Sequence, residues 1–156
     1  MDRLSKAFIV LAAVGVAVAV YHGYDEITSY SAPGARVCNI DSVLSCVSVF
    51  NSGYTKFPPG PYGVDLFVYG LVWFPLMVAL GVWFGRKAGT ISGEILVPVL
   101  MVGNVFTLYL WYLEIAVIHA YCPVCITMYL LNYVMTALAA KQLFGPLDRG
   151  LDSQLT

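Results

Sequence analysis

The sequence predicts an all-α integral membrane protein, four helices bundled in one small domain. Three observations carry that prediction. Of 156 residues, 60% are hydrophobic and 11% charged, where soluble domains run at about 45–50% and about 25%. The apolar excess falls in four blocks instead of being spread along the chain. The basic residues, finally, alternate between connections as membrane spans sort them.

Ala7 to Val20 holds no charge and follows Asp2, Arg3 and Lys6. Val64 to Phe84 holds only Asp65, while Ile95 to Leu113 and Ile126 to Ala140 hold none. A span needs about 20 mostly apolar residues, about 17–25 in practice. Adding Tyr21 to Tyr24 to the first block and beginning the last at Pro123 predicts helices over about 6–24, 64–84, 94–119 and 123–141. They make one domain over residues 1–145, with 146–156 as a loose cytoplasmic tail. Ala17-Val18-Ala19 also fits a small-residue cleavage site, which leaves a removed leader as the alternative reading of the first block.

With four spans, both termini and the second connection share a side. That side collects Arg3, Lys6, Arg86, Lys87, Lys141 and Arg149, leaving Arg36 and Lys56 opposite. The termini are therefore expected in the cytoplasm. The net charge of −1, with no basic tract, argues against a nucleic-acid partner.

Cys38 and Cys46 fall in the first connection, and Cys122 and Cys125 at the end of the third. All four thiols are thus placed outside the cytoplasm, where disulfides persist. Between Cys38 and Ser52, Val43, Val47 and Phe50 recur at helical spacing, with Asp41 or Ser42 able to cap. A short amphipathic helix on the outer surface is expected there. The stretch FPPGPYG, Phe57 to Gly63, is stiff and delivers the chain to span two.

The thiol pairs differ in chemistry. Cys122 and Cys125 lie on one helix face about 5–6 Å apart, within reach of a bridge. Pro123 suits the first helical position, which makes Cys122 the N-cap, among free N–H groups that favour a thiolate. That is a redox arrangement. Cys38 and Cys46, on one continuous helix, would stand about 12 Å apart, too far for a disulfide. Cys38 must therefore precede the helix and fold back, as a mobile relay cysteine would. Structural disulfides remain the alternative for this pair, although a clip closing two residues explains C-P-V-C poorly. A four-cysteine zinc site fits by number but not by the first pair's C-x₇-C spacing, so no metal is expected.

A dithiol at the membrane surface needs an acceptor that dissolves in lipid, and a quinone takes two electrons and two protons. Tyr129 lies one turn beyond Cys125 with a hydroxyl able to donate to a quinone carbonyl. Asn104, Thr107, Trp111 and Glu114 fall within about 80° of helix circumference, one polar stripe facing the bundle. Glu114, His119 and Asp65 are candidates to pass protons.

Taken together, Cys38-x₇-Cys46, Val49-Phe50-Asn51-Ser52, Tyr69-Gly70 and Cys122-x₂-Cys125-Ile126-Thr127-x-Tyr129 resemble the vitamin K epoxide reductase family, in particular its prokaryotic disulfide-forming members. The resemblance implies a four-helix bundle around a quinone pocket, capped by the extracytoplasmic loop and its short helix. It also implies roles. Cys38 exchanges with a separate thioredoxin-fold protein, Cys46 attacks Cys122, and Cys125 is the thiolate beside the quinone. Phe50 and Ser52 cover the pocket, and Tyr129 hydrogen-bonds the quinone, with Asp65 and Trp111 as further candidate contacts. Animal members carry an asparagine near the start of span two, where this chain reads Val64-Asp65-Leu66-Phe67. The expected activity is thiol–quinone oxidoreduction that makes disulfides, with a menaquinone- or ubiquinone-type acceptor. Quinone epoxide reduction is the alternative chemistry, and a non-enzymatic membrane protein with clipped loops the alternative class.

Overall fold

The structure, a computed structural model, describes residues 2–31, 43–50, 52–54, 56–58, 62–87 and 93–152. Cys38, Asp41 and Ser42, and the Pro/Gly loop from Ala32, lie outside the described residues. The elements in order are α1 (Arg3–Ser31), α2 (Cys46–Phe50), β1 (Lys56–Phe57), β2 (Val64–Asp65), α3 (Leu66–Lys87), α4 (Gly93–Tyr112), a π-helical segment (Leu113–Ile118) and α5 (Pro123–Asp152). Four stretches, Arg3–Thr28, Leu66–Lys87, Gly93–Ile118 and Pro123–Phe144, are long and apolar enough to cross a membrane. The all-α four-helix architecture expected from composition is the one observed.

Helix boundaries run wider than hydropathy suggested. α1 continues to Ser31 and α5 to Asp152, because backbone hydrogen bonding does not stop where lipid-facing apolarity does. The second span starts later than expected, at Leu66, since Val64 and Asp65 are extended and pair antiparallel with Phe57 and Lys56. Gly63 allows that hairpin to close: a Cβ there would collide with the Pro58 carbonyl and the Lys56 side chain. The surface helix is only Cys46–Phe50, and its cap is Ser45, whose Oγ accepts from Ser48 N–H at 3.1 Å. Val43 stands before this helix and is exposed, so the expected apolar face beginning at Val43 is not formed.

Packing runs α3 on α1, α1 on α5, and α5 on α4. The main core joins Phe8, Ala12 and Ala19 of α1 to Phe74 and Met77 of α3, Leu96 and Leu100 of α4, and Met135 and Ala139 of α5. Between α1 and α3 the approach depends on small residues. Gly15 sits against the Phe74 ring, Ala19 against Gly70, and Gly23 against Phe67. This four-residue spacing of small side chains is how helices gain van der Waals contact where lipid supplies no hydrophobic drive.

A second, smaller core lies at the other end of the bundle: Cys46, Val49, Ala120 and Cys122, with Ile118, Val124 and Cys125 packed on it. One parallel bridge holds it together. Leu44 pairs with Tyr121, Ser45 N–H donates to Tyr121 O at 3.1 Å, and Tyr121 N–H donates to Val43 O at 2.8 Å. The chain reaches that bridge by leaving the π segment at His119, in left-handed conformation with φ of 56°.

Candidate functional site

The bridge brings the residue just before Cys122 alongside the residues just before Cys46, so two cysteines remote in sequence meet. Cys46 Sγ and Cys122 Sγ are 3.3 Å apart, and both residues are fully buried. Cys46 is disulfide-bonded, while Cys122 and Cys125 are free thiols. A disulfide sulfur in contact with a thiol is the ground-state arrangement for thiol–disulfide exchange.

Cys122 takes the capping position that Pro123 at the first helical position implies. Its Sγ accepts from Cys125 N–H at 3.3 Å, satisfying a donor at the start of α5 that has no intrahelical partner. The hydrogen bond from the Cys125 thiol holds Cys122 below the ordinary thiol range. Burial opposes this and the nearby His22 ring assists, with a lowered value as the outcome. His22 reaches the pair from α1, its Nε2 3.6 Å from Cys125 Sγ. The ligand-capable atoms of His22, Cys122 and Cys125 all lie within 4.8 Å of one another.

One turn further along α5 is Tyr129, 4% exposed, whose hydroxyl donates to Glu114 Oε1 at 3.0 Å. The Trp111 indole packs on its ring, centroids 6.0 Å apart. Glu114 lies in the π segment, 2% exposed, and its second oxygen is buried without a hydrogen-bond partner among the described residues. The stripe foreseen on α4 does face the bundle. Asn104 bonds Asn132 and Thr136 of α5, and Thr107 Oγ1 donates to Tyr133 Oη at 3.0 Å.

Tyr129 is also where the thiol site borders a cavity of about 340 Å³ between α3, α4 and α5. Its walls are almost wholly apolar, and Tyr69, Trp73, Thr107, Tyr129 and Asn132 are the lining residues whose side chains carry polar atoms. The indole N–H of Trp73 donates to Asn132 Oδ1 at 3.0 Å. Phe57, at the tip of the β1–β2 hairpin, closes one end, edge-on to Tyr69, Phe106 and Tyr109. The Tyr69 hydroxyl fixes it there by donating to Phe57 O at 2.7 Å. Val72, Leu76 and Val102 line the cavity while exposed on the outside of the bundle, so it opens laterally, toward lipid. An apolar site of this size, with a few convergent polar groups and a side entrance, fits a ring with an isoprenoid tail.

The family model for the vitamin K epoxide reductase family matches residues 6–140, most of the chain. The protein belongs to the vitamin K epoxide reductase family. Membership makes it an integral membrane oxidoreductase of a family that uses quinones or their epoxides and works with thiol partners. A quinone fits the cavity described above, and it supplies acceptance of two electrons and two protons. This vitamin K epoxide reductase family protein would hold it with Phe57, Tyr69, Trp73 and Tyr129.

Of the residues foreseen as the site, Cys46, Cys122 and Cys125 converge, and Tyr129 lines the cavity. Cys38 and the Phe50 side chain lie outside the described residues. Ser52 Oγ donates to Val49 O at 2.6 Å at the end of α2 and does not line the cavity as described. Asp65 is in the hairpin, its Oδ1 buried and without a hydrogen-bond partner among the described residues, and Trp111 sits behind Tyr129; neither lines the cavity. His119 is exposed beyond the π segment. Sequence reasoning missed His22, one of two histidines, set in the margin of an apolar span. Phe57 enters the sequence reading only as the start of the stiff FPPGPYG stretch, because a two-residue strand leaves no periodic signature.

Proposed function

We propose that this protein is a disulfide-generating thiol–quinone oxidoreductase of a prokaryotic plasma membrane, with all four cysteines on the extracytoplasmic side. The reading is carried by one observation, the 3.3 Å contact between disulfide-bonded Cys46 and the free thiol of Cys122.

In the productive direction a reduced thioredoxin-fold protein, separate from this chain, delivers two electrons by exchange at Cys38, opening the Cys38–Cys46 disulfide. The Cys46 thiolate then attacks Cys122 in the Cys122–Cys125 disulfide. The Cys46–Cys122 bond forms, the Cys122–Cys125 bond breaks and Cys125 leaves as thiolate. Cys38 attacks Cys46, restoring its own disulfide and releasing Cys122. The reduced Cys122–Cys125 pair stands at the edge of the cavity, where a menaquinone- or ubiquinone-type acceptor removes its electrons. Tyr129, flanked by Trp111, orients that acceptor when its hydroxyl turns from Glu114 to donate to the acceptor's carbonyl. Phe57 and the apolar walls keep water from the reacting atoms.

Purified protein in lipid, given a soluble quinone and a reduced thioredoxin-fold protein, should turn over, and Cys125→Ala should abolish turnover. Full activity of that variant would sink the assignment. Cys46→Ala should accumulate a mixed disulfide between Cys38 and the partner. Turnover of a quinone epoxide in place of the quinone would move the chemistry to epoxide reduction on the same thiols.

A further inference from the structure

Every exchange at Cys125 requires a proton to come or go, and the relay itself names no group to hold it. His22 is placed for that. It comes from α1, an element that contributes none of the four thiols, and is 3% exposed. Its Nε2 lies 3.6 Å from Cys125 Sγ, within hydrogen-bond reach for sulfur, and Cys122 Sγ is within 4.8 Å of both atoms. Cys46, Cys122 and Ala120 close the thiol end at 2% exposure or less, while Cys125 is half-buried on the side that His22 covers. Gly23, the next residue, lets α1 lie against Phe67 of α3, and that packing fixes the height of the ring.

We propose that His22 is the acid–base residue of Cys125, taking its thiol proton when Cys125 acts as nucleophile and returning it when Cys125 leaves. The inference rests on the cysteine relay proposed above. Take the state in which Cys122 has joined Cys46. The Cys125 S–H proton moves to Nε2 of His22, which carries its own hydrogen on Nδ1. Cys125 then attacks Cys122, the Cys122–Cys125 bond forms, the Cys46–Cys122 bond breaks, and Cys46 departs as thiolate. The Cys122–Cys125 pair is oxidised and Cys46 reduced. In the reverse step the imidazolium gives the proton back to departing Cys125. Cys122 needs no such help, because its capping position already favours the thiolate. The division follows: Cys122 is the thiol that exchanges with Cys46, and Cys125, with His22, makes or breaks the bond to Cys122.

Among the described residues, the titratable groups on the elements packed around the ring are the two thiols, Cys46 on α2, Glu114 with Tyr129, and Asp25 and Glu26 in the next turn of α1. On α3 the Tyr69 hydroxyl is engaged by Phe57 O, and Arg86 and Lys87 lie at the far end of the helix.

The test follows exchange within the chain alone. Fully reduced Cys38→Ser protein in detergent, in which Cys125 alone can resolve a Cys46–Cys122 bond, receives one equivalent of diamide without quinone or partner. Acid quenching, alkylation and peptide mass spectrometry then count the Cys46–Cys122 species and the resolved disulfides over time. His22→Gln should slow resolution by about 100-fold at pH 7, the lower end of what a placed base contributes. The Cys46–Cys122 species should accumulate, and the gap should close as pH rises and Cys125 ionises unaided. Resolution at the wild-type rate across the pH range would overturn the proposal. Should His22→Gln not fold, nitrogen-15 imidazole NMR of the native chain decides. The His22 signals must change between the reduced and oxidised Cys122–Cys125 states, and unchanged signals would overturn it equally. Because neither quinone nor partner is present, a failure of quinone turnover in the earlier assay leaves this result standing, and the converse holds.

Discussion

Cys122 has its character from its place. As the N-cap of α5 it accepts a backbone N–H, and the Cys125 thiol holds it below the ordinary thiol range. A free cysteine at about 8.5 is only a few per cent thiolate at neutral pH, and its reactivity falls steadily on acidification. A lowered value keeps the thiolate present at neutral pH, with the loss beginning only as pH drops through that lower value. Stopped-flow measurement of Cys122 attacking the Cys46 disulfide should therefore be nearly flat from pH 8 to 7. A tenfold fall per unit over that range would contradict it. Tyr129 offers a second test. Tyr129→Phe removes the bond to Glu114 and leaves a buried carboxyl without its partner, a loss of about 1–3 kcal/mol. We expect KM for quinone to rise by roughly 5- to 100-fold, while exchange between Cys46 and Cys122 continues.

Among the elements, two short features do the positioning that the long helices cannot. α2 is five residues, too short to hold itself, and depends on the Ser45 cap and the bridge to Tyr121. Ser45→Ala should cost about 1 kcal/mol, read as a lower melting temperature in detergent. It should also lower the yield of Cys46–Cys122 cross-link, since Cys46 is the first helical residue after the cap. The π segment matters for a different reason. An α-helix widened over Leu113–Ile118 turns Glu114 into the bundle beside Tyr129, and such segments recur at functional sites. Between the spans, the Gly15–Ala19–Gly23 row sets how closely α1 approaches α3, and so where His22 sits. Gly15→Leu forces the helices apart around Phe74. We expect about 1–3 kcal/mol of destabilisation and a matching fall in exchange rate, measurable on the same sample.

For the whole molecule, the thiols and the apolar cavity occupy adjoining but separate spaces that meet at Tyr129. That separation is testable. A side chain at Gly103 would enter the cavity against Trp73 and Asn132. Gly103→Leu should abolish quinone-dependent turnover while Cys46–Cys122 exchange survives; loss of both would merge the two sites into one. The long spans were legible because a bilayer demands about 20 apolar residues in a row, a constraint written along the chain. So were Cys122, Pro123 and Cys125, since capping is local and three residues carry it. Phe57, His22 and the cavity were not legible, because each arises from elements far apart in sequence coming together. Composition determined the four spans and local spacing the capping turn at C-P-V-C, properties that depend on solvent and on nearest neighbours. Only tertiary packing decided which cysteines touch, which ring lies against Cys125 and where the cavity opens, because one parallel bridge and one row of small residues set those distances.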